Sequence, residues 1–185
     1  AERAVQLDPA SEEAVAVLAA LLRRAGEGRE AVALVGKAVE AAPKSVDLRL
    51  VLAQLLVDQQ RNADAQKQLE EIIRLEPGNL VHRYRLAQLH LFSKNVDGAE
   101  ATLRQAVKDS PDSVEAQLAL ASLLAAQRSF EAADKELIAA RKKEPDNLPL
   151  LVGIGEFYDR AGQPAKAETV YLEVIDKDGT GPQGL

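Results

Sequence analysis

Five prolines, Pro9, Pro43, Pro77, Pro111 and Pro145, stand 34 residues apart along the 185-residue chain. This spacing constrains the fold more than any other feature. A proline lacks the backbone donor that a helix interior needs and clashes with the preceding turn, so each one ends a helix. Two residues after each comes a good helix start: Ser11, Ser45, Asn79, Ser113 and Asn147. Their side-chain oxygens can accept from the unpaired N–H groups of a first helical turn. Each 34-residue period then has room for two helices. The pattern predicts first helices near 11–25, 45–59, 79–93, 113–127 and 147–161. It predicts second helices near 28–41, 62–75, 96–109, 130–143 and 164–176. Pro149 and Pro164 fall in first turns, where a missing donor costs nothing.

Small residues keep the same period. Ala19, Ala53, Ala87, Ala121 and Gly155 form a row in the first helices, and Ala31, Ala65, Ala99, Ala133 and Ala167 form one in the second. A third row, Ala38, Ala106 and Ala140, is broken by Ile72 and Val174. Large residues alternate with them: Leu18, Leu52, Leu86, Leu120 and Ile154, then Val35, Leu69, Leu103, Leu137 and Tyr171. Small against large is the pattern of interlocking helix surfaces. The fold class expected is therefore all-α, a stack of antiparallel helix pairs. Composition agrees. Hydrophobic residues make up 46% but aromatics only 3%, so the apolar content is mostly Ala, Leu and Val.

These residues carry a resemblance. The chain is similar to tetratricopeptide repeats, whose pattern has a Leu-Gly pair, a later Ala, an aromatic and a closing Pro. The pair appears as Leu18-Ala19, Leu52-Ala53, Leu86-Ala87, Leu120-Ala121 and Ile154-Gly155. The tryptophan of the family pattern is replaced by Val15, Arg49, Arg83, Gln117 and Leu151. The resemblance spans essentially the whole chain. It implies a right-handed superhelical solenoid whose first helices line a concave face, and a protein-interaction scaffold rather than an enzyme. The expected division is the end of a preceding repeat at 1–9, five repeats over 10–178 (about 11–43, 44–77, 78–111, 112–145 and 146–178), and a linker or further element at 179–185. Neither end offers a capping repeat with a polar outer face, as such stacks need. That points to a longer parent or to self-assembly through uncapped ends. Many bacterial relatives serve envelope assembly, secretion or polysaccharide export. A periplasmic or membrane-associated parent therefore stands beside a cytoplasmic one.

The resemblance also places a partner, a peptide or helical segment, in the concave groove. Helical spacing on the first helices, opposite the packing rows, nominates Asp47, Leu50 and Gln54, then Tyr84, Arg85, Gln88 and Phe92, then Leu118 and Ser122. Among them the third repeat is richest, since Tyr84, Arg85, Gln88 and Phe92 combine the aromatic, cationic and amide groups common at binding hot spots. Some relatives clamp the C-terminal carboxylate of chaperone tails with Lys, Asn and Arg. The matching positions are Ala16, Ala20, Leu50, Gln54, Tyr84, Gln88, Leu118 and Ser122, which include none of these types. The expected ligand is instead an extended or helical segment of mixed apolar and polar character.

Charge and residue inventory exclude other classes. A net charge of −6 gives no basic face for a phosphate backbone, so nucleic acid is not an expected partner. With no Cys, disulfides, thiolate catalysis and cysteine zinc sites are excluded. His82 and His90 lie two helical turns apart with no carboxylate constellation between them, which favours structural roles. Glutamate pairs such as Glu70-Glu71 read as solvated helix faces, with Glu70 expected to pair with Arg74. No nucleophile–base pair can be proposed, and no cofactor or metal is expected. Two glycine runs resemble nucleotide-binding strings, Gly26 to Ala31 and Gly179 to Gly184, but neither follows a strand. The string from Asp176 to Gly181 has the alternating acids and sixth-position glycine of a calcium loop. A flexible linker or helix stop is the plainer reading of it.

Overall fold

The computed structural model describes residues 11–179. Every regular element among them is an α-helix, in chain order α1 (Glu12–Arg24), α2 (Gly28–Ala41), α3 (Val46–Asp58), α4 (Asn62–Leu75), α5 (Leu80–Phe92), α6 (Val96–Asp109), α7 (Val114–Gln127), α8 (Phe130–Lys143), α9 (Leu148–Arg160) and α10 (Pro164–Asp178). The chain forms two units, one reaching Asn95 and one starting at Val96. The first unit holds α1 to α5 and the second α6 to α10. None of these helices is long and apolar enough to cross a membrane.

The helix starts rest on the residues that the period nominates. Ser11, Ser45, Asn79, Ser113 and Asn147 each accept from a first-turn backbone N–H: Ala14 at 3.3 Å, Leu48 at 3.2 Å, Val81 at 3.2 Å, Ala116 at 3.2 Å and Leu150 at 3.0 Å. Pro149 and Pro164 both sit in the first two positions of their helices.

The turn inside each pair is also periodic, with one exception. Gly26, Gln60, Lys94 and Gly162 all have φ between 58° and 82°, the left-handed region. The residue after each donates back five positions along the chain, Glu27 to Leu22 O, Arg61 to Leu56 O, Asn95 to His90 O and Gln163 to Tyr158 O, satisfying carbonyls that the helix end would orphan. In the fourth repeat Arg128 has φ −123° and α7 runs to Gln127. There Ser129 caps α8 instead, accepting from Ala132 N at 3.1 Å. Arg128 is tied to Glu100 at 3.0 Å and to Asp97.

Packing follows the rows. In the first unit α1 packs on α2 and α3, α2 on α3, α3 on α4, and α4 on α5. Its core holds Val15, Ala19, Ala31, Val35, Leu52, Ala53, Ala65, Leu69 and Ile72. In the second unit α6 packs on α7, α7 on α8 and α9, α8 on α9, and α9 on α10. Leu103, Ala106, Leu120, Ala121, Ala133, Leu137, Leu151, Ile154 and Ala167 are buried there. Leu18, Ala140, Tyr171 and Val174, which the rows also include, are only half-buried.

The tryptophan position takes two forms. Val15 and Leu151 fill it with apolar bulk and are fully buried. Arg49 and Gln117 instead reach the carbonyl of the proline six residues earlier. Arg49 Nε and Nη2 donate to Pro43 O at 3.0 and 2.7 Å, and Gln117 Nε2 to Pro111 O at 2.5 Å. Arg49 Nη1 adds a 2.8 Å bond to Gln68 Oε1. Its side chain is 11% exposed, so these bonds are shielded. Arg49→Leu keeps apolar bulk, as Leu151 does, but abandons the Pro43 carbonyl. It should lower stability by about 1 kcal/mol, the net worth of such bonds. Urea unfolding measures this. An unchanged midpoint would mean that water serves that carbonyl as well as Arg49 does.

Candidate functional site

The first unit carries a depression of about 440 Å³ between α3 and α5. Leu50, Gln54 and Val57 of α3 form one wall, and Arg85, Gln88 and Phe92 of α5 the other. Ala53, Leu69 and Leu89 complete the lining. Residues three, four and seven apart share one side of a helix, so each wall is a single helical stripe. The floor exists because Ala53 and Leu69 belong to the packing rows, which leave α3 and α4 in close contact.

Five nominated residues therefore meet at one place: Leu50, Gln54, Arg85, Gln88 and Phe92. Asp47 is exposed one turn earlier on α3 and does not line it. Tyr84 is half-buried and lies off the lining, although it neighbours Arg85 in sequence. Leu118 lines a different groove, in the second unit, and Ser122 is exposed on α7 and lines neither. The nomination had no means of marking Ala53, Leu69 and Leu89 as floor, since as sequence they are only core.

Phe92 is 67% exposed, the most exposed large hydrophobic residue among those described. Among the described residues none covers it, and its contact with water is a cost to the free protein. Arg85 is exposed beside it and forms no ion pair among the described residues. On the opposite wall Gln54 is oriented, its Nε2 donating to Asp58 Oδ1 at 2.9 Å. Arg23 Nη1 holds the other oxygen of Asp58 at 3.3 Å. The depression thus offers an aromatic face, an uncommitted guanidinium and amides, with no carboxylate in its lining.

Other candidates resolve into structure. His82 is 3% exposed, and its Nε2 lies 2.7 Å from Glu76 Oε2. Glu76 is held below the ordinary carboxylate range, first by the His82 hydrogen bond and then by that of Asn79. His90 is buried with Nδ1 3.2 Å from Asn95 Nδ2. No group of three or more His, Asp or Glu among the described residues is placed to hold a metal ion. Arg74 bonds Glu71 at 2.8 and 2.5 Å rather than Glu70, which accepts from Gln66 at 2.7 Å. This corrects the pairing expected of Glu70: Arg74 takes both oxygens of Glu71 while Glu70 is engaged by Gln66. In the calcium-like string, Asp176, Lys177 and Asp178 belong to α10, and Gly179 ends that helix at φ 70°. Helical backbone cannot wrap a cation, and Lys177 binds Asp146 at 2.6 Å instead. Thr180 and Gly181 lie outside the described residues.

Helix pairs repeated every 34 residues, with an open depression between α3 and α5, define a helical-repeat protein. A tetratricopeptide-repeat family model matches residues 22–82, 56–123 and 94–146. The chain belongs to the tetratricopeptide-repeat family, and its fold is that of a protein-interaction scaffold. No curated protein matches it. Among solved structures it is similar to YrrB, described as a tetratricopeptide-repeat protein with an unusual peptide-binding site, at 19% identity and TM-score 0.52, covering 95% of this chain and 91% of that one. It is similar to a tetratricopeptide-repeat protein of Parabacteroides merdae at 19% identity and TM-score 0.56, covering 95% and 70%. It is also similar to MamA of Desulfovibrio magneticus at 15% identity and TM-score 0.51, covering 92% and 97%. At these identities the likeness concerns the fold.

Proposed function

We propose that this chain is a non-catalytic scaffold that captures an extended or helical segment of a partner protein in the depression between α3 and α5. The observation that carries the reading is Phe92, 67% exposed at the rim beside the unpaired Arg85. A partner's apolar side chain would cover the ring, and its carbonyl or carboxylate groups would take the guanidinium. The peptide-binding site of YrrB, a protein of the same fold, supports the reading.

A random peptide library displayed on phage and selected against the full chain supplies a ligand, and fluorescence anisotropy measures its affinity. Phe92→Ala should weaken binding ~10-fold or more, as truncation of a hot-spot aromatic does. The thermal melt should stay as it was, because the ring is exposed. Equal affinity for both proteins with an intact fold would reject this site.

A further inference from the structure

The depression of the first unit has a counterpart two periods, or 68 residues, further on. Leu118 stands where Leu50 does, Gly153 where Arg85 does, and Glu156 where Gln88 does. This second groove, of about 630 Å³, lies between α7 and α9 and reaches the end of α10. Its apolar lining is Val114, Leu118, Leu148, Pro149, Val152 and Val174. Its acids are Glu115, Glu156 and Asp178.

Two exchanges change its chemistry. Gly153 removes the guanidinium wall, and the space is taken by Leu118. A Cβ on Gly153 would lie 2.5 Å from Leu118 Cδ1, so only glycine lets that leucine spread across the groove. Glu156 then puts a carboxylate where the first groove has an amide. Glu115, Glu156 and Asp178 are all exposed, and none is within 4.0 Å of a cationic side chain among the described residues. Among the described residues Glu115 accepts only from Ser113 Oγ, at 3.1 Å. The neighbouring Lys177 is committed to Asp146 at 2.6 Å and to Glu173 at 4.0 Å. No cation lines this groove.

We propose that the groove between α7 and α9 is a second docking surface, and that its occupant is a partner segment with aliphatic side chains flanked by lysine or arginine. Aliphatic groups cover Leu118 and Val152, and the basic groups meet the three carboxylates. Charge complementarity selects this occupant over an acidic segment, which like-charge contact penalises. The two grooves therefore discriminate by charge, the first presenting a guanidinium and the second only carboxylates.

The test uses the full chain and three labelled synthetic peptides of equal length. One has leucines at helical spacing and lysines elsewhere. One replaces the lysines by glutamate, and one replaces the leucines by serine. Anisotropy should show binding of the lysine–leucine peptide alone. Glu115→Gln with Glu156→Gln should weaken it ~10-fold or more, in the range of interfacial charge pairs. Glu12→Gln with Glu13→Gln removes the same charge from α1 and should change it less than ~2-fold. Circular dichroism checks that each variant is folded. Equal loss in both double variants would mean general attraction to an acidic chain and would overturn the proposal. So would equal binding of the serine peptide, or no binding of the lysine–leucine peptide. Concentration-dependent self-association abolished by Val152→Asp would instead place a second copy in the groove, which also overturns it.

Discussion

Gly155→Ala lowers the stability of the second unit by about 1–3 kcal/mol, the usual cost of overpacking a core. On helix propensity alone the change should stabilise, since alanine is better than glycine by about 0.8–1.0 kcal/mol in a helix interior. Packing reverses the sign. A Cβ on Gly155 would lie 2.8 Å from Tyr171 Cδ1 and Cζ, and closer still to Cε1. The ring cannot swing away without losing the bond from its hydroxyl to Asp159 Oδ2 at 3.0 Å. In the sequence the other four repeats hold an alanine and an aliphatic residue at these two positions: Ala19 and Val35, Ala53 and Leu69, Ala87 and Leu103, Ala121 and Leu137. The fifth exchanges both partners at once. Gly155→Ala with Tyr171→Leu therefore recreates the pair used elsewhere and should recover most of the loss. Urea unfolding of the wild type, both single variants and the double variant gives the coupling. It should be at least about 1 kcal/mol, as for residues in direct contact. Additive single effects would show that the two positions do not share one space.

The features legible in the sequence are those fixed by local chemistry. Ser11, Ser45, Asn79, Ser113 and Asn147 act within three residues of themselves, so spacing alone identifies them as caps. The alanine rows are legible because a helix that must approach closely needs a small side chain every period. The reach of Arg49 and Gln117 to a carbonyl six residues back was not, because it depends on how the loop folds over α3 or α7. Nor was the shift at Arg128, where Ser129 offers a side-chain cap that the starts of α2, α4 and α10 lack. In the candidate site, helical spacing marks Arg85, Gln88 and Phe92 as one stripe. It cannot separate Tyr84 from Phe92, since the half-burial of one and the exposure of the other are set by tertiary packing. The contrast between the two grooves was present in the sequence at Arg85 and Gly153. Its meaning required Leu118 to be seen lying where a Cβ would stand.

Asp134→Ala is the second large effect, and it is dependent on pH. Asp134 Oδ1 accepts from the Tyr158 hydroxyl at 2.7 Å, and Oδ2 from Lys166 Nζ at 2.6 Å. Lys166 Nζ also lies 4.9 Å from the Phe130 ring centre and 5.4 Å from that of Tyr158. Phe130 stacks on Phe157 at 6.3 Å, and Phe157 meets Tyr158 edge-on at 5.9 Å. One carboxylate thus joins α8, α9 and α10. Without it a hydroxyl on a residue only 5% exposed has no acceptor, and the ammonium loses its counter-charge. The expected loss is about 2–3 kcal/mol at neutral pH, the cost of deleting one partner of charge-assisted bonds. Burial alone would push the Asp134 carboxyl up, but the hydrogen bonds from Lys166 and Tyr158 outweigh it and hold the group below its ordinary 3.8. A folded pKa below the unfolded one gives stability that is complete above the ordinary value and disappears as pH falls through the folded value. The gap between wild type and Asp134→Ala should therefore be constant from neutral pH down to the ordinary carboxylate range, and shrink below it. Burial first, and then the bond to Asp134, raise the Tyr158 hydroxyl above its ordinary 10.0, so that contribution is complete below that value and is lost only as pH rises through the raised one. Urea midpoints measured at neutral and acid pH resolve the carboxylate limb. A difference that does not shrink in acid would show that the Asp134 charge contributes nothing, leaving its loss to packing alone.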